Sequence, residues 1–344
     1  MKNTVKKILS AALCALLAVS VSACAGTDGQ SSSASQEAGQ ADGGKQYRVG
    51  IVQFASHPSL DNCYNGFVEG LKESGLVEGE NLAIDFQNAQ NDTANSDMIA
   101  KNMVSGKVDL ICGIATPSAM SAYSAAKDTE IPVVFTAVSD AVSAGIVKSN
   151  DKPENNCTGS SDILPLDQQV KMIRAFLPDA KKIGILYTTS EPNSVSQLEK
   201  IKPLAEAEGF EIVEVGITNS SEVPAGAATL VSKGVDCINN FTDNNVVDNL
   251  SMVLQAANKA DIPVFGSEVE QVKNGCLASQ SIDYVELGKE TGKMAAQILK
   301  GEAKASEMPV FLVKECKPVY NKEVCASLGL ALPEEYADAE AVGE

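Results

Sequence analysis

The sequence predicts an α/β protein made of two doubly wound parallel-sheet lobes that face each other across a cleft. The first reason is an internal repeat, because the run VGIVQFASHPSLDN that begins at Val49 returns at Ile183 as IGILYTTSEPNSVS. Two more pairs follow in the same order, with VDLICGIATPSA from 108 matching VDCINNFTDNNV from 235, and IPVVFTAVSD from 131 matching IPVFGSEVEQ from 262. The offset of roughly 130 residues is far longer than a solenoid repeat, so each copy is expected to form a lobe.

The second reason is the alternation of strand and helix patterns in the first copy. Residues 48–54 are typical of a buried parallel strand, and the apolar residues that follow recur at helical spacing until Gly75. We expect further strands at 82–86 and 108–114, with a helix at 98–104 between them. Thr116 and Pro117 then indicate a helix start, with Thr116 as the N-cap and Pro117 as the first helical residue.

The second copy predicts the same order of elements. Its strands are expected at 182–186, 211–215 and 235–239, with a helix at 194–207 and a long helix that ends at Ala260. Pro203 should kink or divide its helix, because an interior proline costs about 3 kcal/mol. Residues 283–301 predict a helix that returns to the first lobe. Alternating elements of this kind form parallel sheets with right-handed crossovers and a ligand cleft at the strand ends.

The N-terminal segment predicts export. Residues 1–23 combine three lysines with an apolar stretch from Ile8 to Val21, which is typical of a secretory signal peptide. Residues 21–24, Val-Ser-Ala-Cys, resemble the lipobox of bacterial lipoproteins, which implies cleavage before Cys24 and attachment of a diacylglycerol there. An ordinary cleaved leader followed by a chance cysteine is the alternative.

The remaining chain is divided by composition and by the repeat. Residues 24–46 are rich in Ser, Gly, Gln and Ala and predict a flexible tether behind the lipidated cysteine. Lobe 1 is expected to comprise 47–160 plus 282–306, and lobe 2 to comprise 161–281 plus 307–332. Residues 333–344 form an acidic tail that is expected to fray.

The charge of the chain excludes some partners. The formal net charge is −18, and removal of the three leader lysines changes it to −21. Nucleic acid and anionic lipid both require a basic face, so neither is an expected partner. We interpret the acidity as a source of solubility.

The cysteines predict mostly free, buried thiols. Of nine cysteines, Cys14 leaves with the leader and Cys24 is the proposed lipid site, which leaves seven without a close metal-type pair. Cys112 and Cys237 lie within apolar strands, where a thiol behaves as a small hydrophobic group. One bridge, between Cys316 and Cys325, stays open as an alternative.

Enzyme chemistry finds little support in the sequence. His57 is the one histidine of the chain, so any Ser-His-Asp triad would have to include it. One histidine is also too few for a histidine-based zinc site. The chain also contains no Gly-x-Ser-x-Gly elbow, no Walker loop and no Gly-x-Gly-x-x-Gly after a strand. We therefore expect a protein that is not an enzyme, with no catalytic residue, cofactor or metal.

The loops at the strand ends predict a ligand site. The candidate contacts are Ser56, His57, Thr116, Pro117, Ser118, Thr136, Ala137, Asp140, Asn193, Ser194, Asp243, Asn244, Ser267 and Glu268. The helix starts at 116–118 and 193–194 are suited to a carboxylate, and Asp140, Asp243 and Glu268 to an ammonium group, so the loops together predict a site for a zwitterion. The ordinary alternative for each Ser, Thr or Asn is a helix cap, and for His57 a bond to a loop carbonyl.

A wider resemblance extends from Tyr47 to Leu330. The residues that carry it are Ile51-Val52-Gln53, His57-Pro58, Leu60-Asp61, Gly66-Phe67, Gly70-Leu71, Ala115-Thr116-Pro117, 134–138, Glu191, Asn193-Ser194, Thr242-Asp243-Asn244 and Leu287-Gly288. On these residues the chain resembles the ABC-transporter substrate-binding lipoproteins that include the tryptophan and tyrosine importers, which have a type I periplasmic-binding fold. Two motifs depart from the family pattern, with Ser139-Asp140-Ala141 in place of Thr-Asp-Pro and Ser267-Glu268 in place of Ser-Asp.

The resemblance implies capture of an amino acid, often aromatic, and its delivery to a membrane permease powered by ATP hydrolysis. The location that follows is extracytoplasmic, with a lipid anchor on the cell membrane, and periplasmic where the source has an outer membrane. A monomer is expected. Two alternatives remain open at this point: another small solute such as a sugar or nucleoside, and a sensory lipoprotein that uses the same clamp without import.

Overall fold

The computed structural model describes residues 45–313 and 315–343. The predicted leader, Cys24 and the tether up to residue 44 lie outside the described residues. Within the described residues no helix is both long and apolar enough to cross a bilayer.

Thirteen strands are assigned in chain order in the described residues: β1 (Tyr47–Gln53), β2 (Leu82–Asn88), β3 (Leu110–Ile114), β4 (Val133–Thr136), β5 (Cys157–Ser161), β6 (Lys182–Thr188), β7 (Glu211–Ile217), β8 (Cys237–Asn239), β9 (Val264–Phe265), β10 (Ala278–Ser281), β11 (Phe311–Leu312), β12 (Lys317–Asn321) and β13 (Glu340–Val342).

Eleven α-helices are assigned in the same residues: α1 (Pro58–Glu73), α2 (Thr93–Ser105), α3 (Thr116–Ala126), α4 (Leu166–Phe176), α5 (Pro192–Ala207), α6 (Val223–Ser232), α7 (Asn244–Asp248), α8 (Leu250–Asn258), α9 (Val269–Lys273), α10 (Tyr284–Leu299) and α11 (Lys322–Ser327). Short 3-10 helices occupy Ser220–Glu222 and Glu334–Tyr336.

The strands form two parallel sheets and one small mixed sheet. The first sheet has the order β11-β5-β4-β3-β1-β2, and all of its pairs are parallel. The second has the order β7-β6-β8-β9, also parallel throughout. The predicted α/β architecture with two parallel-sheet lobes is therefore confirmed. The small sheet, β10-β12-β13, lies next to β9, because Gly266 donates to the Ala278 carbonyl over 3.0 Å.

The chain leaves the first lobe later than the sequence predicts. Strand β11 pairs with β5, Phe311 opposite Ser160, whereas the sequence predicts 307–332 for the second lobe. The segment before β11 is held to lobe 1, because Thr158 Oγ1 donates to the Met308 carbonyl over 2.8 Å and Val310 N donates to the Asn150 carbonyl over 2.7 Å. This attachment moves the last crossing between lobes to the residues after β11.

Residues 340–342 of the acidic tail form a strand where the sequence predicts fraying. Residues of β13 pair in parallel with β12, with Glu340 opposite Val319. Backbone pairing with a neighbouring strand satisfies the N–H and carbonyl groups of the tail, so its charge does not prevent it from joining a sheet.

Two helices differ from prediction. The single long helix expected to end at Ala260 is divided into α7 and α8 at Asn249, whose φ of −114° and ψ of 25° are not helical. In contrast, α5 continues through Pro203. The carbonyl that this proline leaves unbonded belongs to Glu199, which is exposed, so water can satisfy it.

Helices α1 and α10 pack backbone against backbone. Four glycines form the contact: Gly66, Gly70, Gly288 and Gly292. A Cβ atom added to Gly66 would lie 2.0 Å from the Val285 carbonyl oxygen, and a Cβ atom added to Gly288 would lie 2.1 Å from the Cys63 carbonyl oxygen. The predicted helix at 283–301 is thus confirmed, and it returns to lobe 1. The close approach fixes the position of Tyr284 at the start of α10.

The seven cysteines from Cys63 to Cys325 are all free thiols. This confirms the prediction of free thiols and excludes the alternative bridge between Cys316 and Cys325 in this structure. Burial raises the pKa of the Cys63 and Cys157 thiols well above the usual value, so these groups stay protonated and act as apolar core residues.

Candidate ligand-binding cleft

The loops at the carboxyl ends of both parallel sheets surround one cavity. Its empty space, counted together with the solvent at its mouth, is about 340 Å³. Lobe 1 contributes loops after β1, β3, β4 and β5 and the start of α10, and lobe 2 contributes loops after β6, β8 and β9. The lining residues are His57, Ser59, Leu60, Ala115, Thr116, Ala137, Ser139, Asp162, Asn193, Thr242, Asn244, Val247, Glu268, Gln271 and Tyr284.

The two lobes touch each other around this cavity. Gln197 Nε2 donates to Ser139 Oγ over 3.1 Å, and Ser139 Oγ lies 3.1 Å from Thr242 Oγ1. At the cavity edge, Lys200 Nζ lies 2.5 Å from Asp140 Oδ2. Hydrogen bonds and an ion pair therefore hold the lobes together, and the structure has the geometry of a closed clamp.

Several polar atoms of the lining are buried without a partner. Among the residues described, thirteen buried side-chain N or O atoms make no hydrogen bond, and five of them belong to the cavity lining: His57 Nδ1, Ser59 Oγ, Thr116 Oγ1, Asn193 Oδ1 and Gln271 Oε1. A buried polar atom left unbonded costs about 1 to 3 kcal/mol. The concentration of such atoms in one cavity indicates that it receives a polar ligand.

Two carboxyl groups give the cavity its electrostatic character. Asp162 accepts hydrogen bonds from Ser139 Oγ (3.0 Å) and Tyr284 Oη (2.7 Å), and burial raises the pKa of its carboxyl above the usual value. Glu268 accepts from the backbone N–H groups of residues 270 and 271, and burial raises its pKa to about 7. No Lys or Arg appears in the lining of this cavity, so its surface favours a cationic group.

The start of α3, in contrast, favours an anionic group. Ala115 occupies the N-cap position with a φ of 78°, so Thr116 is the first helical residue and Pro117 the second. This corrects the prediction that Thr116 is the N-cap, because the side chain makes no capping bond and its Oγ1 is unbonded within the described structure. The first N–H groups of a helix have no intrahelical partner and attract anions. This corner of the cavity is suited to a carboxylate.

Glu191 organises the loops of lobe 2. Its Oε2 accepts from Asn193 Nδ2 (3.1 Å), Asn244 N (3.1 Å) and Asn244 Nδ2 (2.7 Å). Burial and the nearby Asp243 charge raise the pKa of Glu191 to about 8. Because Oε2 has three donors, it acts as an acceptor in either protonation state, and it fixes the orientation of both asparagine amides.

The structure brings six of the predicted site residues into the lining: His57, Thr116, Ala137, Asn193, Asn244 and Glu268. Ser56 is exposed and lines a wider outer groove that shares His57 with the cavity. Pro117 is buried in the first turn of α3 without reaching the lining.

Four predicted hydroxyl residues serve the scaffold instead. Ser118 Oγ lies 3.1 Å from Ser96 Oγ, and Ser194 Oγ donates to Asp243 Oδ2 over 2.7 Å. Thr136 Oγ1 accepts from Ser160 Oγ over 3.1 Å, and Ser267 Oγ accepts from Gln271 Nε2 over 2.7 Å. Each hydroxyl thus bonds to a nearby side chain, and none of the four caps a helix, which was the alternative role expected from the sequence.

Two predicted ammonium ligands also lie outside the lining. Asp243 caps α7 and accepts from Thr188 N (2.6 Å), Thr188 Oγ1 (2.9 Å), Ser194 Oγ and Val246 N (3.0 Å), so four protein donors occupy its oxygens. Asp140 pairs with Lys200 across the lobes. Of the three carboxylates predicted to hold an ammonium group, Glu268 alone lines the cavity.

Sequence reasoning missed Asp162 and Tyr284. Asp162 directly follows β5, whose sequence Cys-Thr-Gly-Ser-Ser lacks the apolar run of a buried parallel strand, although all five residues are buried. Tyr284 is the first residue of a helix that the sequence does predict. Tyr284 lies where the chain re-enters lobe 1, next to the cleft, and this position could have indicated a site residue.

The raised carboxyl pKa values predict an unusual pH dependence of stability. A carboxyl with a raised pKa binds its proton more tightly in the folded state, so its contribution is largest at low pH and is lost as the pH rises through the folded value. For Glu268 and Glu191 those values are about 7 and about 8. His57 has a lowered pKa and acts in the opposite direction, but only below its ordinary value of 6.5.

We therefore expect the ligand-free protein to lose about 2 kcal/mol of stability between pH 6.5 and pH 8.5. Thermal unfolding across that range measures the loss. Glu268→Gln should flatten the part of the curve near pH 7, and a melting temperature that rises throughout the range would contradict the assignment.

Comparison with known proteins agrees with this geometry. Residues 48–341 match the family described as ABC transporter substrate binding protein. The chain is 41% identical over 326 residues to a tyrosine-binding protein of Clostridioides difficile (strain R20291), covering 94% of this chain and 93% of the relative. This family consists of substrate-binding transport components, which agrees with the expectation of a protein that is not an enzyme.

Two solved structures extend the comparison. The ABC domain in complex with L-Trp from Streptococcus pneumonia is 37% identical with a TM-score of 0.83, covering 87% of this chain and 100% of that one. The ligand-free, open structure of a substrate-binding protein with adhesive properties from Clostridium difficile is 42% identical with a TM-score of 0.65, covering 86% and 99%. The present structure is thus closer in shape to the complex, in agreement with its interlobe contacts. The chain belongs to the family of ABC transporter substrate-binding proteins.

Proposed function

We propose that this protein is the extracytoplasmic substrate-binding component of an ABC importer and that it binds a free aromatic amino acid in the cavity between its lobes. The observation that carries the proposal is the acceptor-rich lining, with two carboxyl groups and unbonded acceptor atoms on Asn193 and Gln271. An ammonium group supplies three donors and a positive charge to such a lining. The tyrosine-binding relative and the neighbour in complex with L-Trp support the amino acid as the ligand class.

The ammonium group is assigned to the end of the cavity near Tyr284. Tyr284 Oη donates to Asp162, and burial together with the charges of Asp162 and Glu268 raises the pKa of this hydroxyl. Asp162 and Glu268 both line this cavity, and two carboxyl groups in a lining without Lys or Arg favour a cation. The ligand carboxylate is assigned to the first N–H groups of α3 and to Thr116 Oγ1. The partial positive charge at this end of the helix attracts the negative charge of the carboxylate.

The ligand side chain is assigned to the apolar part of the lining. Leu60 and Val247 face it from opposite lobes, and Ala115 and Ala137 contribute small side chains that leave room for a ring. A sugar is a weaker fit, because sugar sites use aromatic platforms and Tyr284 is the one Phe, Tyr or Trp in this cavity lining.

Transport follows from closure of the clamp. Ligand that bonds to both lobes stabilises the closed form, which docks on the permease, and micromolar affinity, about −8 kcal/mol, suffices for capture. We propose a monomer held at the membrane through a lipid on Cys24.

Calorimetric titration with tyrosine, tryptophan and phenylalanine tests the function. The expected result is binding at micromolar concentration or below for at least one of them, with loss of binding for tyramine, which lacks the carboxylate. Myo-inositol, a nucleoside and a dipeptide serve as comparison ligands. Binding of one of these in place of every free amino acid would overturn the proposed ligand while leaving the family assignment intact.

A further inference from the structure

His57 occupies a distinctive position at the edge of the cavity. It is the one histidine of the sequence, it lies at the N-cap of α1, and its side chain is buried. Its Nε2 lies 3.5 Å from Asn244 Oδ1 across the cleft, while its Nδ1 is buried without a partner among the described residues. One ring nitrogen therefore faces lobe 2, and the other is left for a ligand.

The tautomer of His57 follows from the bonds of Asn244. Asn244 Nδ2 donates to Glu191 Oε2 over 2.7 Å, so the amide oxygen is the atom that faces the imidazole. An amide oxygen accepts only, and Nε2 must therefore carry the proton. Burial lowers the pKa of His57, against the opposing charges of Asp248 and Asp61, so the ring is neutral and Nδ1 presents a lone pair.

The surroundings of His57 match the ring end of an aromatic ligand. Leu60 follows His57 by one turn of α1, and Val247 follows Asn244 by one turn of α7, so an apolar pair stands next to the polar contact. His57 follows β1, and Asp162, the proposed ammonium ligand, follows β5. In the first sheet, β4 and β3 lie between β5 and β1. Three strand spacings place the two loops roughly 14 Å apart, which is the span of an aromatic amino acid with a hydrogen bond at each end.

We propose that His57 Nδ1 accepts a hydrogen bond from a donor on the ligand ring, the phenol O–H of tyrosine or the indole N–H of tryptophan, and thereby selects against phenylalanine. The inference rests on the proposed function and specifies which aromatic side chains the site prefers. A ligand without a ring donor leaves Nδ1 buried and unbonded, and that cost corresponds to about 5-fold to 150-fold in affinity. Asn244 and Glu191 act as positioning residues, because they hold the proton on Nε2.

Calorimetry on matched ligands tests the selection. The wild-type protein is expected to bind tyrosine or tryptophan at least about 5-fold more tightly than phenylalanine, with O-methyltyrosine behaving as phenylalanine does. His57→Phe should bring the ratio close to one while phenylalanine still binds. Equal affinities in the wild type, or an unchanged ratio in the variant, would overturn the inference and leave the proposed function in place. Failure of every aromatic amino acid to bind would overturn both.

The single histidine permits a second test on the unaltered protein. Labelling histidine with ¹⁵N gives one imidazole spectrum, in which a protonated and an unprotonated nitrogen are well separated. We expect Nδ1 to be the unprotonated nitrogen and its resonance to move toward the protonated range with tyrosine or tryptophan, but not with phenylalanine. A proton on Nδ1, or the same change with all three ligands, would contradict the proposal, whether or not His57→Phe folds.

Discussion

Replacing Asp162 with asparagine is expected to weaken binding of the aromatic amino acid by about a hundred-fold. Removal of one charge from a buried charged pair costs about 2 to 5 kcal/mol, because the remaining charge stays desolvated. In this variant the ligand ammonium would lose its partner at the Tyr284 end of the cavity, and Glu268 alone would face it. Calorimetric titration of the variant and the wild type with the same ligand measures the loss.

Two controls separate recognition of the ammonium from general damage. A ligand without the ammonium group, 3-(4-hydroxyphenyl)propionate, should bind both proteins with similar affinity. Asp179→Asn removes an exposed carboxylate just before the amino end of β6, far from the cavity, and should leave amino acid affinity unchanged. An Asp162→Asn protein that binds the amino acid as tightly as the wild type would remove Asp162 from the ligand site.

Replacing Gly66 with alanine is expected to destabilise the protein by about 3 kcal/mol. The added Cβ would lie 2.0 Å from the Val285 carbonyl oxygen, which belongs to the backbone of α10 and cannot turn away as a side chain does. The two helices would have to separate, and overpacking of this kind costs about 1 to 3 kcal/mol or more. For a domain of this size the loss corresponds to about 5 °C in melting temperature, which a thermal unfolding experiment resolves.

Asn65→Ala is the matched control for this glycine. Asn65 is the preceding residue of α1 and is exposed, so alanine there changes helix propensity without entering the contact. Its melting temperature should equal or exceed that of the wild type. If Gly66→Ala unfolds at the wild-type temperature, the backbone contact between α1 and α10 is not as close as the structure has it.

Much of the fold could be predicted because the repeat and the apolar runs are local features. Strands β1, β3, β6 and β7 and helix α10 all appear near their predicted positions. Strand β5 was missed, since its polar sequence is buried only through its neighbours in the sheet, and β11 is a two-residue strand that depends on pairing with β5. Contacts between distant segments decide such elements, and one sequence does not display them.

The candidate site also has a part that the sequence predicts and a part that it does not. Loops at the carboxyl ends of strands could be predicted, and they supply His57, Thr116, Asn193 and Glu268 to the lining. The direction in which a carboxylate points could not be predicted. Asp243, for example, caps α7, and its oxygens accept hydrogen bonds from Thr188 and do not reach the cavity. A hydrogen bond of about 1 kcal/mol settles such an orientation, and sequence alone does not specify which donor provides it.

The most direct test is a crystal structure of the protein with L-tyrosine. We expect tyrosine in the cavity between the lobes, with its ammonium nitrogen within hydrogen-bond distance of Asp162 or Glu268 and its carboxylate at the first turn of α3. Tyrosine in the outer groove beside Ser56, or in the cavity with its carboxylate against Asp162, would contradict this expectation.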